Sequence, residues 1–234
     1  MDMQNAFERE RQLIGRDAVE QLKKSHVAVF GLGGVGSFCA EALARAAVGK
    51  LTLIDHDIIE KTNINRQLHA TVNTIGQDKV QVMAQRINEI NPDCEVIIKK
   101  VFFSAETADE IFNPQWNYIA DAIDSVTSKL ELAVQAQRLG IPLISCMGTG
   151  NKLCPEQFEI ADLYQTSVCP LCKVMRKELR ARGVDQLTVV YSKEPPRRHG
   201  GDDPRTPASI SFTPPVAGFI MAGHIIKALI GNIN

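Results

Sequence analysis

"VAVFGLGGVGSFCAEALARAAVGKLTLIDHD" spans Val27 to Asp57. It opens on a short β-branched and apolar run, Val27 to Phe30, which reads as a buried strand. A helix-compatible run follows, with Ser37 near its start and Gly49 as its stop. A second buried strand then ends at Asp55. Together these make a βαβ unit of about 30 residues. Gly31, Gly33 and Gly36 form G-x-G-x-x-G between the first strand and the helix. The first glycine permits the tight turn, the second lets backbone approach a phosphate, and the third allows close helix packing. The helix N-terminus supplies free N–H groups and a positive dipole for an anion. Gly34 lies inside the same loop and joins the candidate nucleotide contacts. Asp55 stands 19 residues after Gly36, where an acid accepts hydrogen bonds from ribose hydroxyls; the alternative is a turn cap. Asp57, just beyond it, is a further candidate.

Outward from this unit, strand and helix keep alternating. "KVQVMAQRINEINP" reads as a helix stopped by Asn91-Pro92, "CEVIIKKVF" and "NYIADAID" as strands, "SVTSKLELAVQAQRLG" as a helix ending at Gly140, and "IPLISCMG" as another strand. Such alternation predicts an α/β fold, Rossmann-like, with a mainly parallel sheet and helices on both faces. After Gly148 the pattern changes. "QFEIADLY" and "LTVVYS" read as strands flanking a basic helix, "CPLCKVMRKELRARG". Residues 192–209 are rich in Pro, Gly and charge and read as a mobile loop. The expected organisation is one domain over residues 1–234. It comprises a helical arm (1–25), a nucleotide-binding half (26–148) and a substrate-side half (149–234).

With 234 residues, 44% hydrophobic and 23% charged, the chain suits one soluble globular domain with a full core. A formal net charge of −1 gives no global field, so nucleic-acid binding requires a local patch. Met1 to Arg16 is too polar for a signal peptide, and the cysteines read mainly as reduced, buried thiols, which suits a reducing cytoplasm. The longest apolar stretch, Pro214 to Gly231, contains His224 and Lys227 and reads as a buried core helix rather than a membrane span.

The segment "NINRQLHATVNTIGQDKV", Asn63 to Val80, bears on the ligand. A glycine loop usually suggests a dinucleotide, and an NAD-dependent oxidoreductase is the default alternative. Arg66 and Lys79 would over-neutralise a pyrophosphate already held by a helix N-terminus. They suit a triphosphate with charge developing on leaving pyrophosphate. Asp121 and Asp124 follow at the carboxyl end of a strand, where a carboxylate can hold Mg²⁺ against phosphate oxygens. The competing readings pair Arg66 with a surface acid and make Asp124 a helix cap. A nucleotide-binding regulator without chemistry is a further alternative.

"GLGGVGS", "LTLIDHD", "TNINRQLHA", "GQDKVQVMAQRINEINP" and "DAIDS", in that order, resemble the ubiquitin-activating-enzyme-like adenylating proteins, the ThiF/MoeB/HesA superfamily, over about residues 5 to 150. The resemblance implies ATP on the glycine loop, ribose at Asp55, phosphates at Arg66 and Lys79, and Mg²⁺ at Asp124. Asn63, Arg66 and Gln67 match the N-x-x-R-Q motif. It also implies a homodimer in which Arg11 of one copy reaches the triphosphate of the other. The family chemistry is attack of a substrate carboxylate on the α-phosphate, giving an acyl-adenylate and pyrophosphate. A bound monovalent cation, Na⁺ or K⁺, is compatible with the resemblance, with no ligands assigned.

Two branches compete for the carboxylate. One adenylates the C-terminus of a ubiquitin-like sulfur carrier. The other, the tRNA threonylcarbamoyladenosine dehydratases, cyclises a modified adenosine beside the anticodon. The wording of Asn63 to Val96 and of Ser145 to Val184 looks most like the second. The first typically carries two C-x-x-C pairs holding zinc; this chain has one, Cys169 and Cys172, which cannot complete a four-thiolate site alone. That pair reads as packing thiols, as half of a shared metal site, or as a redox couple. Nine cations support an RNA partner: Lys173, Arg176, Lys177, Arg180 and Arg182 in the basic helix, and Lys193, Arg197, Arg198 and Arg205 beyond it. Five acids accompany them. The bland alternative is a solvated helix face and a charged loop. His199 and Tyr191 are candidates for stacking on bases. A sulfur-relay protein is a second partner that the resemblance admits.

Overall fold

The computed structural model describes residues 6–197 and 207–231. Seven strands form one sheet in the order β3-β2-β1-β4-β5-β7-β6. They are β1 (His26–Phe30), β2 (Lys50–Ile54), β3 (Glu95–Lys99), β4 (Tyr118–Asp121), β5 (Leu143–Cys146), β6 (Phe158–Asp162) and β7 (Thr188–Ser192). All neighbours pair in parallel except β6, which runs antiparallel to β7. The mainly parallel α/β arrangement expected from the alternation is therefore present. The second half does not form a separate sheet, because β7 pairs with β5 through Ile144↔Thr188 and its neighbours.

Every residue of β1 is buried, which follows from helices covering both faces. Its side chains alternate between two cores. Val27 and Val29 point into one, with α3 (Gly36–Arg45), α4 (Lys79–Ile90) and α8 (Thr213–Ile230). Ala28 and Phe30 point into the other, with α6 (Val126–Leu139) and α7 (Pro170–Ala181). A short α5 (Ala108–Ile111) supports the second core.

The stops expected at Asn91 and Gly140 hold, but α3 ends at Arg45 and not at Gly49. Ala47 makes the left-handed turn (φ 57°), and Gly49 instead passes against the Lys23 carbonyl oxygen, 1.8 Å from a built Cβ. Ser125 caps α6, accepting the Ser128 N–H at 3.4 Å, and Gly140 ends it in the left-handed region, with φ 67°. The arm differs from a single helix. It breaks at Gly15 (φ 88°) into α1 (Glu8–Ile14) and α2 (Arg16–Lys23), since only glycine adopts that angle freely. Helix α8 is long and apolar enough to cross a membrane by length and composition. In this fold Ala217, Met221, Ala222 and Ile225 fill the first core. A Cβ on Gly218 would lie 2.3 Å from the Val35 carbonyl oxygen, so α8 lies directly against the start of α3.

Candidate active site

Strand order reverses around β1, which has β2 on one side and β4 on the other. Ligands of open α/β sheets bind at the carboxyl ends of strands at such a switch point. A cleft of about 870 Å³ lies there, lined by the glycine loop, the ends of β2 and β4, and the loop after β5.

The glycines act as their spacing predicts. Gly31 has φ 81°, and a Cβ on it would meet the Ala122 carbonyl oxygen at 2.7 Å. A Cβ on Gly36 would sit 1.8 Å from the Gly31 oxygen. Gly33 has open space, its nearest neighbour being Gln67 Nε2 at 4.0 Å, so its backbone is free to face a phosphate. Gly34 packs between Pro214 and Arg66, at 3.0 and 3.2 Å from a built Cβ. No side chain caps α3, which leaves leading amides for an anion.

Asp55 is buried and ties the loop to β2: Oδ2 accepts the Leu32 N–H at 2.6 Å and Oδ1 the Asp57 N–H at 2.8 Å. The turn-cap reading of Asp55 is thus realised, and the same carboxylate still lines the cleft. Lys79 opens α4 and is only 5% exposed, yet its ammonium reaches the cleft wall and meets Asp57 Oδ2 at 2.7 Å. Asp57 also lies 3.1 Å from His56 Nε2. Being half exposed, Asp57 is a counter-ion that a more highly charged ligand can replace. Arg66 donates Nη1 to the Thr62 carbonyl and to Asn65 Oδ1, both at 2.9 Å. It makes no ion pair among the described residues, so the surface-pair alternative is not what the fold builds. Gln67 is buried beside the glycine loop, with Oε1 unpartnered among the described residues. Asp124 sits exposed on the rim without a hydrogen bond or ion pair among the described residues. The cap of α6 is Ser125, not Asp124.

Two expected residues lie elsewhere. Asn63 is not part of the cleft lining; its Oδ1 accepts the Glu60 N–H at 3.1 Å and closes a 3₁₀ turn, Lys61–Asn63. Arg11, on α1, has Glu8 at 3.7 Å and does not line its own chain's cleft. Asp121 is not available to a metal: Oδ2 binds Lys129 Nζ at 2.9 Å and Ser145 Oγ at 2.5 Å, with both ions fully buried. Its Oδ1 accepts the Ile123 N–H at 3.1 Å and so shapes the turn leading to Asp124. Tyr191 is buried and donates its hydroxyl to Glu159 at 2.6 Å, so it offers no stacking face. His199, Arg198 and Arg205 fall outside the described residues.

Some lining residues had no sequence signal beyond their place after a strand end. Phe102 and Phe103 follow β3, and Phe102 meets His56 edge-on at 4.9 Å. Pro207 and Ser209 form a far wall. Asn151 holds it, exchanging two hydrogen bonds of 2.8 Å with Ala208. His69 is buried near Lys79 with both ring nitrogens unpartnered among the described residues, and burial, then Lys79, push its pKa down to about 4.

The cleft fits a nucleoside triphosphate on three counts: the side-chain-free face of Gly33, the buried ammonium of Lys79, and the uncommitted guanidinium charge of Arg66. The unpaired Asp124 carboxylate fits a Mg²⁺ ion at the rim. The cluster Asp55, His56 and Asp57 has ligand spacing, but its carboxylates are already bonded to amides and to Lys79.

Cys169 precedes α7 and Cys172 lies in its first turn; both are buried and reduced. The Cys172 thiol donates to Cys169, and the N–H groups of Cys172, Gly148 and Leu171 add to it; together they hold the Cys169 thiol well below its ordinary range. The same bond and burial push Cys172 up. Thiolate absorbance near 240 nm, measured as wild type minus Cys169→Ser, is therefore expected to rise with pH and be complete before ordinary thiols ionise at about 8.5. A difference signal centred at or above that value would refute the assignment.

A model of the ThiF family matches residues 7–234. The chain is 43% identical over 247 residues to a tRNA threonylcarbamoyladenosine dehydratase of Bacillus subtilis (strain 168), covering 99% of this chain and 97% of that protein. Crystal structures of E. coli tRNA N6-threonylcarbamoyladenosine dehydratase superpose on it. The AMP complex gives a TM-score of 0.91 at 32% identity, covering 97% of this chain and 94% of the other. The ATP complex gives 0.90 at 33%, with the same coverage.

Proposed function

The chain belongs to the ThiF family, and from that premise we propose that it is an ATP-dependent tRNA threonylcarbamoyladenosine dehydratase. The observation that carries the nucleotide chemistry is the convergence of Arg66, Lys79 and the open glycine loop on one cleft. Near-full-length identity to a dehydratase carries the choice of branch. The sulfur-carrier reading is not favoured, since a single C-x-x-C pair leaves its zinc site incomplete.

In this reading the leading amides of α3 and Gly33 seat the phosphates, Asp55 meets the ribose, and Gln67 lies alongside. Lys79 exchanges Asp57 for a phosphate oxygen and, with Arg66, stabilises charge as it builds on departing pyrophosphate. Mg²⁺ held at Asp124 would neutralise triphosphate oxygens. The substrate carboxylate attacks the α-phosphorus, and the bond to pyrophosphate breaks. The substrate's own urea group then attacks the activated acyl carbon and gives up a proton to solvent as AMP leaves, so the oxygen of the lost water departs on AMP. No enzyme nucleophile is needed, and the protein's contribution is positioning and charge. Arg11 does not line its own cleft, which supports a homodimer with Arg11 acting in trans. The whole chain works as one adenylation domain in the cytoplasm. The assignments of Asn63 as a nucleotide contact and of a Na⁺ or K⁺ ion have no supporting contact among the described residues.

The test is direct. Incubation with ATP, Mg²⁺ and tRNA carrying threonylcarbamoyladenosine, followed by digestion to nucleosides, is expected to yield a nucleoside lighter by one water, with AMP and pyrophosphate formed. An unchanged nucleoside, with AMP transferred instead to the C-terminus of a ubiquitin-like protein, would refute it.

A further inference from the structure

The nine cations of the second half are not equivalent once their partners are known. Arg176 turns inward and donates to the Thr166 carbonyl at 3.0 Å. Arg182 pairs with Glu178 at 2.8 Å, Lys193 with Glu159 at 2.7 Å and Arg197 with Glu194 at 3.1 Å. Arg198 and Arg205 lie outside the described residues. Lys173, Lys177 and Arg180 remain: all three are exposed, and their side chains make no hydrogen bond or ion pair among the described residues.

Their spacing, four and then three residues along α7, puts them on one face of the helix. The opposite face, with Cys172, Met175 and Leu179, is buried in the second core, and the single exposed Val174 beside the stripe is too little apolar surface to anchor α7 in a membrane. The stripe begins two residues from Leu171, which lines the cleft, and runs about 10 Å along the helix. At its far end Arg180 lies over the Tyr164 ring, 5.0 Å from the centroid. This fixes the guanidinium beside a groove of about 570 Å³, lined by Tyr164, Arg176, Lys177, Arg180 and Ala181. Uncompensated positive charge without an apolar anchor suits a polyanion backbone better than a protein hot spot.

We infer that Lys173, Lys177 and Arg180 form a phosphate-binding rail that holds an RNA strand while its modified base enters the cleft. The inference rests on tRNA being the substrate and adds where the polymer lies. Phosphate contacts of this kind set position and not sequence, so the rail treats all tRNAs alike, and discrimination belongs to the cleft.

The test compares the full chain with its Lys173→Gln/Lys177→Gln/Arg180→Gln variant, using fluorescence anisotropy on an unmodified tRNA transcript across a salt series. Each lost phosphate contact lowers the slope of log K against log salt by about 0.7 on single strands. The triple variant is expected to lose about 2 from the slope and to bind roughly 100-fold more weakly at 0.1 M salt. Single variants should show one step each, and Lys193→Gln none. ATP affinity should match wild type, and melting should fall by no more than about 2–4 °C, since the three side chains are exposed, Gln is a good helix former, and only the Arg180–Tyr164 contact is lost. Wild-type slope and affinity in the triple variant would overturn the rail and leave the dehydratase reading intact. Weaker binding of an acidic protein alone, with tRNA binding unchanged, would also overturn it. A wild-type chain that neither binds tRNA nor dehydrates it would remove both.

Discussion

Lys79→Ala is expected to reduce ATP-dependent turnover by on the order of 10²–10³-fold or more, the range seen when one preorganised stabiliser of transition-state charge is lost. The side chain is 5% exposed, while its partner Asp57 is about half exposed. The ammonium is therefore held rigidly at the cleft wall against a carboxylate that water can rehydrate. Its loss removes a charge from the phosphate site without stranding a buried ion. The pair joins a nearly buried lysine to a half-exposed aspartate, so the exposed-pair value of about 0–1 kcal/mol is a lower bound to which the lost packing of the lysine stem adds. Each 1 kcal/mol moves the melting temperature of a chain this size by about 2–4 °C. The measurements are pyrophosphate release and thermal melting on the same preparation. Turnover within threefold of wild type would remove Lys79 from the phosphate site.

Lys129→Met is expected to have the opposite profile, with a large loss of stability. Lys129 and Asp121 are both fully buried and 2.9 Å apart. Removing the cation leaves a buried carboxylate with only Ser145 Oγ and one backbone N–H as donors. Breaking such a pair from one side costs about 3–5 kcal/mol, which corresponds to a fall of roughly 6–20 °C in melting temperature. Adding Asp121→Asn removes the stranded charge while keeping a group that Ser145 can bond, so the double variant should regain most of the loss. If the double variant melts no higher than Lys129→Met, the cost comes from packing and not from the unpaired charge.

The nucleotide half was legible because its signals are local. A strand, a glycine loop and a helix of fixed spacing dictate the turn, and the clashes that a Cβ would make at Gly31 and Gly36 show why no other residue serves. Arg66, Lys79 and Asp55 could be placed at the cleft because they follow strand ends on one side of a parallel sheet. Two things were hidden. Asp121 resembled a second metal-side acid, because its partner Lys129 comes from the next helix, and facing side chains on different elements leave no periodic trace. Charge composition likewise could not separate Lys177 from Arg182, since pairing with Glu178 depends on which way each side chain turns. The far wall at Pro207 and Ser209 was read only as loop, because the asparagine that holds it is 57 residues away.

The contact of Gly34 with Pro214, and of Gly218 with the Val35 carbonyl, means that the glycine loop is braced by a helix far from it in sequence. Fraying of Thr213–Ile230 is therefore felt at the loop, and substitutions that loosen this helix are expected to weaken nucleotide binding along with stability.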